Sequence, residues 1–294
     1  MNNTRRKFLQ QATLASVALT LPTLGQSNGL LNLLAPPKKP QPFGIQLYSL
    51  KDEMPKDPAG VIKQLASFGY KQIETFDGPQ GMFWNMGNKG FKKFITNLGL
   101  SMHSVHTDVY KDYERKVNEL AEIGIDYIVY NWEGPTKTLE DYKKMVDDFN
   151  TKGEYSKKHG VKFAFHNHDY TFKKLSGEFG QDVLMKGTDA SLVHFEMDMY
   201  WVVTAGQNPI EWMDKYPGRF QLCHIKDRTK NTTEVFDSCT LGTGSIDYGT
   251  ILKAAKKRGM KYFYAEQEKY EGTTQLQSSK DNALYLKNIF AAKK

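Results

Sequence analysis

The sequence predicts an α/β fold of the (β/α)8 barrel class, and three observations support this prediction. Short apolar or β-branched runs recur roughly every 30 residues, the length of a strand–helix unit. Segments with helical periodicity separate them, such as the one that contains Val61, Ile62 and Leu65. A glycine follows several of these segments, where it supplies the left-handed conformation that ends a helix. Eight such units in about 250 residues match the size of a (β/α)8 barrel.

The eight predicted strands are short and rich in apolar or β-branched residues. They are Gly44–Ser49, Gln72–Phe76, Ser101–His106, Tyr127–Trp132, Lys162–His168, Val193–Met199, Phe220–Lys226 and Tyr262–Glu268. The glycines expected to close helices are Gly69, Gly99, Gly124, Gly160 and Gly259. A doubly wound open sheet is the competing architecture, and it often carries a glycine-rich nucleotide loop after its first strand. Here Lys51, Asp52 and Glu53 follow that strand and cannot form a glycine-rich loop, so the barrel is favoured and no second domain is expected.

The first 25 residues have the pattern of a twin-arginine export signal. Arg5 and Arg6 precede an aromatic–leucine pair, and the uncharged run 12–21 follows. That run is about half the ~20 residues needed to span a bilayer, so no stable membrane anchor is expected. The alternative is an amphipathic first helix of the fold, but residues 26–42 are rich in proline. We therefore expect a signal peptide at 1–25, a linker at 26–42, a barrel domain at 43–294 and a periplasmic location.

Composition and charge exclude several classes of protein. The 294 residues are 39% hydrophobic and 25% charged, which is typical of a folded chain and not of a disordered or collagen-like one. Two cysteines cannot form a disulfide framework or a thiolate zinc site, although one bridge between Cys223 and Cys239 remains an alternative. The net charge is +7, and removal of Arg5, Arg6 and Lys7 with the signal leaves +4. This excess is too small to indicate a nucleic-acid-binding protein.

Ionisable residues collect near the carboxyl ends of the predicted strands, where (β/α)8 barrels place their active sites. They are Glu74, His103, His106, His166, His168, Asp198, His224 and Glu266. Strand residues two apart face the same side, so His166 and His168 point together, and so do Glu196 and Asp198. Burying these groups without partners would be costly. A divalent metal or an acid–base site is therefore the expected explanation.

The residue types narrow the choice of metal. Imidazole and carboxylate ligands without thiolate suit Mn²⁺, Co²⁺, Zn²⁺ or Fe²⁺ better than Ca²⁺. We expect one ion, with Mn²⁺, Co²⁺ or Zn²⁺ as the main candidates. The predicted ligands come from four strands and are His166, Asp198, His224 and Glu266. Cys223 neighbours His224 but is expected to face the opposite side and to pack in the core.

These motifs resemble the sugar phosphate isomerase/epimerase family of xylose isomerase-like TIM barrels. The resemblance begins at 44–50, runs through 69–74, 165–169, 197–201, 224–227, 241–244 and 264–266, and covers the chain from residue 43 onward. Members of this family hold one divalent metal on strands five to eight, commonly through Glu, Asp, His and Glu, and the last three match Asp198, His224 and Glu266. The chain departs on strand five, where His166 replaces the glutamate. It departs again where Thr171 stands at the position of a nearby glutamate of similar sequences.

The resemblance implies an isomerase or epimerase that removes a proton next to the carbonyl of a neutral sugar or keto-sugar. His168 is the predicted base. Lys226 is predicted to protonate an oxyanion or to stabilise an enediolate. Similar dehydratases have a lysine at this position, and the alternative is a solvated lysine paired with Asp227. Glu74 is predicted to accept a sugar hydroxyl or to act as a second acid–base group. Glu266 is predicted to act in catalysis as well as in metal binding.

The expected substrate is a small neutral sugar or glycoside. His106 is predicted to orient it, and Tyr48, Trp132 and Trp201 to stack on it, although aromatic residues near a barrel rim often belong to the core. Sugar phosphates should be scarce in the periplasm, and the sequence has no compact Arg/Lys cluster at the last two strands. The loop 241–245 either binds an anion at the start of a helix or forms a simple turn.

Three other functions compete with the isomerase. The nearest is a lyase that eliminates from a 3-keto-glycoside, because the loss of the strand-five glutamate disfavours a symmetric two-glutamate epimerase. A phosphodiesterase that acts on abasic DNA would need more metal ligands and a basic groove. A non-catalytic sugar-binding protein would not need Asp198, His224 and Glu266 together. Barrels of this family often pair, so a homodimer is one expected state.

Overall fold

In the computed structural model, residues 40–136 and 138–291 are described. Within them, eight parallel strands close into one barrel, in which each strand pairs with its neighbour in the chain and the last pairs with the first. They are β1 Gly44–Gln46, β2 Gln72–Phe76, β3 Ser101–His106, β4 Tyr127–Tyr130, β5 Lys162–His166, β6 Val193–Asp198, β7 Phe220–Ile225 and β8 Tyr262–Ala265. The predicted fold class is thereby confirmed. The predicted signal at 1–25 and most of the predicted linker lie outside the described residues.

Helices cover the outside of the barrel. They are α1 Pro58–Phe68, α2 Asn88–Asn97, α3 Tyr113–Glu122, α4 Leu139–Lys158, α5 Gly180–Gly187, α6 Met199–Thr204, α7 Pro209–Lys215, α8 Tyr248–Lys257 and α9 Gln275–Ala291. The five glycines predicted to close helices all have positive φ, for example 108° at Gly69. At the start of α4, Thr138 and Asp141 form a reciprocal capping box that satisfies exposed backbone N–H groups. None of the helices in the described ranges combines the length and apolarity of a membrane span.

Several strands end earlier than the sequence predicted. β1 ends at Gln46 instead of Ser49, because the chain turns into a short 3-10 helix at Leu47–Leu50. The side chain of Gln46 accepts a hydrogen bond from the backbone N of Tyr48 at 3.1 Å and so starts that turn. The extra predicted residues therefore lie in the loops that surround the carboxyl end of the barrel.

The apolar core has two parts. Inside the barrel, Tyr127, Val129, Ala164, Leu222 and Tyr264 pack against one another and are almost fully buried. A much larger cluster fills the space between the strands and the helices. Because apolar side chains fill the middle of the barrel, polar groups at its carboxyl end can meet solvent or a ligand only from that end.

Candidate metal centre and cavity

The strands bring eight ionisable side chains together at the carboxyl end of the barrel, and all eight are buried. They are Glu74, His106, His166, Glu196, Asp198, His224, Lys226 and Glu266. Parallel strands all end on the same side, which explains why residues distant in sequence meet there. We call Glu74, His106 and Glu196 the inner layer, and Asp198, Lys226 and Glu266 the outer layer.

Two histidines lie between these layers and contact both. Nδ1 of His166 is 3.1 Å from Oε2 of Glu196, and its Nε2 is 3.6 Å from Oδ2 of Asp198. Nε2 of His224 is 2.6 Å from Oε2 of Glu74, and its Nδ1 is 3.1 Å from Oε2 of Glu266. Each ring therefore has one nitrogen held by an inner-layer carboxylate and one nitrogen facing an outer-layer carboxylate. Metal-binding histidines typically have this arrangement, in which a carboxylate fixes the ring from behind.

Hydrogen bonds link the residues of the inner layer. His106 lies 2.6 Å from Glu196 and 3.3 Å from Glu74, and its ring stacks on His224 with centroids 5.0 Å apart. Gln46 donates a hydrogen bond to Glu74 at 2.8 Å. Burial, together with repulsion from Glu74, raises the pKa of Glu196 to about 7. Glu74 is fully buried and is not part of the cavity wall described below, so it contacts His224 and not the cavity.

The outer side of the two histidines fits a divalent cation. Oδ1 of Asp198 accepts hydrogen bonds from the backbone N of Tyr200 and Trp201, at 2.9 and 3.2 Å. This caps α6 and fixes the carboxylate, while Oδ2 is buried and makes no hydrogen bond within the described residues. Donor atoms of Asp198, His224 and Glu266 lie within 4.8 Å of one another. Such a set of buried nitrogen and oxygen donors is consistent with a divalent metal site.

His166 is suited to join this set. Burial and the neighbouring histidines hold its pKa well below the usual histidine range, and the neutral ring is the form that binds metals. A second group, made by His106, His166, Glu196 and His224, also has donor atoms within 4.8 Å. The hydroxyl of Thr171 donates to the backbone O of His168 at 3.0 Å and is engaged there. It thus takes no part in either group.

Lys226 is buried between carboxylates of the outer layer. Its Nζ lies 2.8 Å from Oε2 of Glu266 and 3.3 Å from Oδ2 of Asp198, and it also contacts Glu268. Burial alone would lower the pKa of Lys226, but the surrounding carboxylates raise it well above the usual lysine range. The ammonium is therefore charged. The alternative prediction, a solvated lysine paired with Asp227, is wrong.

Asp227 instead organises the loop 241–245. Its carboxylate accepts hydrogen bonds from the backbone N of Gly242, Gly244 and Ile246, at 2.9, 3.0 and 3.1 Å. The loop approaches so closely that a Cβ at Gly244 would lie 2.2 Å from an Asp227 oxygen. The donors that could have bound an external anion are thus occupied by a side chain of the chain itself.

A cavity of about 550 Å³ opens above the outer layer. Its wall includes all four residues predicted to contact a sugar, which are Tyr48, His106, Trp132 and Trp201. His168, Lys226 and Glu266 belong to the same wall, together with Glu268. A smaller cavity of about 230 Å³ shares Trp201, Lys226, Phe236 and Glu268 with the first. The predicted base and the predicted proton donor therefore face one space.

His168 lies among aromatic rings of this wall. Its centroid is 4.7 Å from that of Trp132 and 5.3 Å from that of Trp201. Its Nδ1 is buried and has no hydrogen-bond partner in the described part of the chain. Burial and the nearby Lys226 charge lower the pKa of His168 to about 3, so the ring is neutral and has one unprotonated nitrogen.

The structure corrects the predicted placement of one residue, His103, and adds two residues to the site. His103 does not join the others, because it lies toward the amino end of β3, with Nδ1 2.7 Å from Asp126 and its ring stacked on Tyr262. Glu196 and Glu268 contact the centre but were not among the predicted site residues. Their spacing was the available signal, since each lies two residues from a predicted ligand, Asp198 or Glu266.

The cysteines are not part of the site. Cys223 is fully buried in the core between strands and helices, as predicted, and Cys239 is partly buried. Both are free, so the alternative of a bridge between them is not realised. The site thus depends on nitrogen and oxygen donors.

The chain spans between about a third and two thirds of the length of the curated relatives that it matches. An inosose dehydratase from Clostridium beijerinckii is 28% identical over 159 residues, which are 49% of this chain and 49% of the relative. An inosose dehydratase from Geobacillus kaustophilus is 29% identical over 202 residues, or 60% of this chain and 63% of the relative.

Solved structures cover more of the chain. A sugar phosphate isomerase/epimerase from Parabacteroides distasonis is 29% identical, covers 85% of this chain and 95% of its own, and superposes with a TM-score of 0.70. A 3-keto-D-glucoside 4-epimerase from E. coli covers 84% of this chain and 99% of its own with a TM-score of 0.65, but at 14% identity it shows the fold alone. Residues 62–289 match the family model described as xylose isomerase-like TIM barrel. The chain therefore belongs to the xylose isomerase-like TIM barrel family.

Proposed function

We propose that the chain is a divalent-metal-dependent isomerase or epimerase that removes a proton next to the carbonyl of a neutral sugar or keto-sugar. The placement of His166 and His224 carries this proposal, because each ring turns one nitrogen to an inner-layer carboxylate and the other toward Asp198 or Glu266. These four residues would hold the ion. When bound, a divalent metal polarises a carbonyl as a Lewis acid and makes the neighbouring C–H more acidic.

Two residues of the cavity wall would move the proton. His168 lines the cavity and its Nδ1 has no hydrogen-bond partner among the described residues, so it is placed to accept a proton from the carbon next to the carbonyl. Lys226 keeps its charge among carboxylates and can stabilise negative charge on a substrate oxygen or donate a proton to it. The Glu266 oxygen that contacts Lys226 also faces His224, so Glu266 links the lysine to the proposed metal site. Glu74 would act only through His224 and His106, because it lies outside the cavity wall.

The cavity wall supports a neutral sugar as substrate. Tyr48 and Trp132 are large aromatic residues that stay well exposed at the cavity, and such rings pack on the apolar faces of sugars. Trp201 and His106 complete that part of the wall. The loop that could have held a phosphate is bonded to Asp227. We also propose, from the sequence pattern of residues 1–25 alone, that the enzyme is exported to the periplasm.

β-Elimination from a keto-sugar or 3-keto-glycoside is the second candidate. Glu74 lies outside the cavity wall and leaves His168 as the main base there, which suits a reaction with a single proton abstraction. Lys226 would then protonate the oxygen of the leaving group. The names of the curated relatives, which are inosose dehydratases, favour the same class of reaction.

Proton NMR in D₂O tests both reactions. The protein would be loaded with Mn²⁺ or Co²⁺, freed of unbound ion and incubated with free ketoses and 3-keto-glycosides, with a chelated sample as control. We expect metal-dependent exchange of a C–H next to a carbonyl, and the product then separates a rearranged sugar from a released aglycone. His168→Asn should lose the exchange, whereas His194→Asn, at the other end of the barrel, should keep it. No exchange in protein that holds its metal would contradict the proposal.

A further inference from the structure

Three carboxylates surround the ammonium of Lys226, and only two of them belong to the proposed metal site. Oε2 of Glu266 and Oδ2 of Asp198 lie 2.8 and 3.3 Å from Nζ. The third contact is with Glu268, which no part of the proposed function uses. The Asp198 and Glu266 atoms that contact the ammonium are the ones that face His166 and His224. A lysine charge and a metal ion therefore compete for the same two oxygens.

Glu268 is placed independently of the metal site. Its backbone N donates a hydrogen bond to the Oγ of Ser238 at 3.0 Å, and Lys269 donates to the same oxygen. Ser238 belongs to a short antiparallel ribbon, in which Arg228 pairs with Ser238. The Glu268 side chain is 30% exposed and lines both cavities. Its carboxylate thus lines the cavity beside Lys226.

Lys226 can reach either set of partners from a fixed backbone. Its backbone N and O are both bonded to the hydroxyl of Tyr248, at 3.0 and 2.6 Å. Its side chain passes the ring of Trp201, with Nζ 5.2 Å from the ring centroid. A lysine has a flexible four-carbon stem and a compact charge. A small rotation of that stem is enough to exchange carboxylate partners that already surround Nζ.

We propose that Glu268 is a positioning residue that takes the Lys226 ammonium when a divalent cation binds Asp198 and Glu266. Lys226 is then a built-in competitor of the metal, and Glu268 relieves that competition. The same exchange keeps the charged ammonium at the cavity wall, where it would meet a substrate oxygen. This inference rests on the proposed function for its metal site, but it concerns cation binding and can be tested without a substrate.

The test is Mn²⁺ affinity, measured on the full barrel from the EPR signal of free Mn²⁺. Lys226→Met keeps the length of the side chain and removes its charge, and a thioether is a poor ligand for Mn²⁺. It should bind Mn²⁺ on the order of tenfold more tightly, a change typical of groups that act behind the ligands. Glu268→Gln should bind on the order of tenfold more weakly, because Lys226 then stays on Asp198 and Glu266.

A double-mutant cycle distinguishes an effect of Glu268 that acts through Lys226 from a direct effect of the Glu268 charge on the metal. In the Lys226→Met background, Glu268→Gln should change the affinity by less than about twofold, since the effect acts through the lysine. Lys269→Met and Glu271→Gln change the same charges nearby without touching the proposed ligands, and both should bind Mn²⁺ like the unmodified chain. Thermal unfolding of each variant shows that it is folded.

Two results would overturn the inference. One is unchanged or weaker binding in folded Lys226→Met, and the other is an equal loss from Glu268→Gln with and without the lysine. Failure of the unmodified chain to bind Mn²⁺ at all would remove both the inference and the proposed function. Normal Mn²⁺ binding with the predicted coupling but without proton exchange would remove the proposed function and leave the inference standing.

Discussion

The two ends of the barrel carry the same types of residue in very different states. At the amino end, His103 and Asp126 form one pair at 2.7 Å, with side chains 27% and 41% exposed. At the carboxyl end, His224 lies between Glu74 and Glu266, and all three are buried. Interactions between charges are stronger in a buried site, and unpaired polar atoms there are costly.

The two ends also differ in how completely their polar atoms are hydrogen-bonded. His103 uses both ring nitrogens, since its Nε2 is 3.0 Å from Ser101. At the carboxyl end, Oε1 of Glu74, Oε1 of Glu196 and Oδ2 of Asp198 make no hydrogen bond within the described residues. A histidine–carboxylate pair therefore indicates a ligand site when it is buried and has more acceptors than donors. An exposed pair with all its partners indicates local stabilisation.

Removing one charge from the outer layer should give the largest effect on metal binding. Asp198→Asn keeps an oxygen for the backbone N of Tyr200 and Trp201, so α6 remains capped. The lost charge should lower metal affinity more than about a hundredfold, beyond the range seen for groups behind the ligands. Metal content after dialysis measures this, and Glu266→Ala should behave alike. Full metal content in Asp198→Asn would remove Asp198 from the ligand set.

The next prediction concerns the rate of turnover and not the affinity for metal. His168→Ala should keep its metal and lose about 10²- to 10⁴-fold in turnover, the usual contribution of a general base. The rate would be measured on whichever substrate shows exchange in D₂O. His103→Ala removes the same ring from the amino end and should leave the rate unchanged. A fully active His168→Ala would show that the base is another residue.

A smaller effect should come from the strand-five position. His166→Gln should lower metal affinity on the order of tenfold, because the amide is a weaker ligand and no longer bridges Glu196 and Asp198. Titration with Mn²⁺ measures the change, and His194→Gln is the matched variant at the amino end. Unchanged affinity would transfer the fourth position to His168 or to water.

The smallest effect should be on stability and should come from the His103–Asp126 pair at the amino end of the barrel. The hydrogen bond from His103 lowers the pKa of Asp126 below its usual value. The pair therefore stabilises the fold above the ordinary aspartate range, and this contribution is lost as the pH falls through the lowered pKa. Because both side chains are partly exposed, Asp126→Asn should cost no more than about 1 kcal/mol at pH 7. Denaturant unfolding at pH 7 and pH 3 should show that the difference shrinks in acid.

The sequence was enough to predict the order and starts of the eight strands. Their apolar runs and the glycines after the helices are local signals, and five of those glycines have the expected positive φ. The strand ends were less predictable. Gln46 starts a turn with its own side chain, and Asp198 caps α6. These polar residues lie inside the predicted strands, but in the structure they end them.

The height of each side chain along the barrel axis was the other property that the sequence could not predict. Alternation gives the side that a residue faces but not its height along the axis, so His103 and His106 could not be separated by pattern alone. The roles of Glu74 and Glu196 also depend on height, because the layer below the histidines exists only once the barrel closes. The register of β6 and β7 shifts beside Glu196 and changes which residues meet.

The bond between Asp227 and the loop 241–245 has a consequence for how this barrel could change its preference for substrates. A carboxylate that belongs to the chain has a far higher effective concentration at the loop than any dissolved anion can reach. A phosphorylated ligand would have to displace it before it could use the N–H groups of Gly242 and Gly244. Selection for phosphate in such a barrel would thus begin with the loss of an acidic side chain, and not with the gain of a basic one.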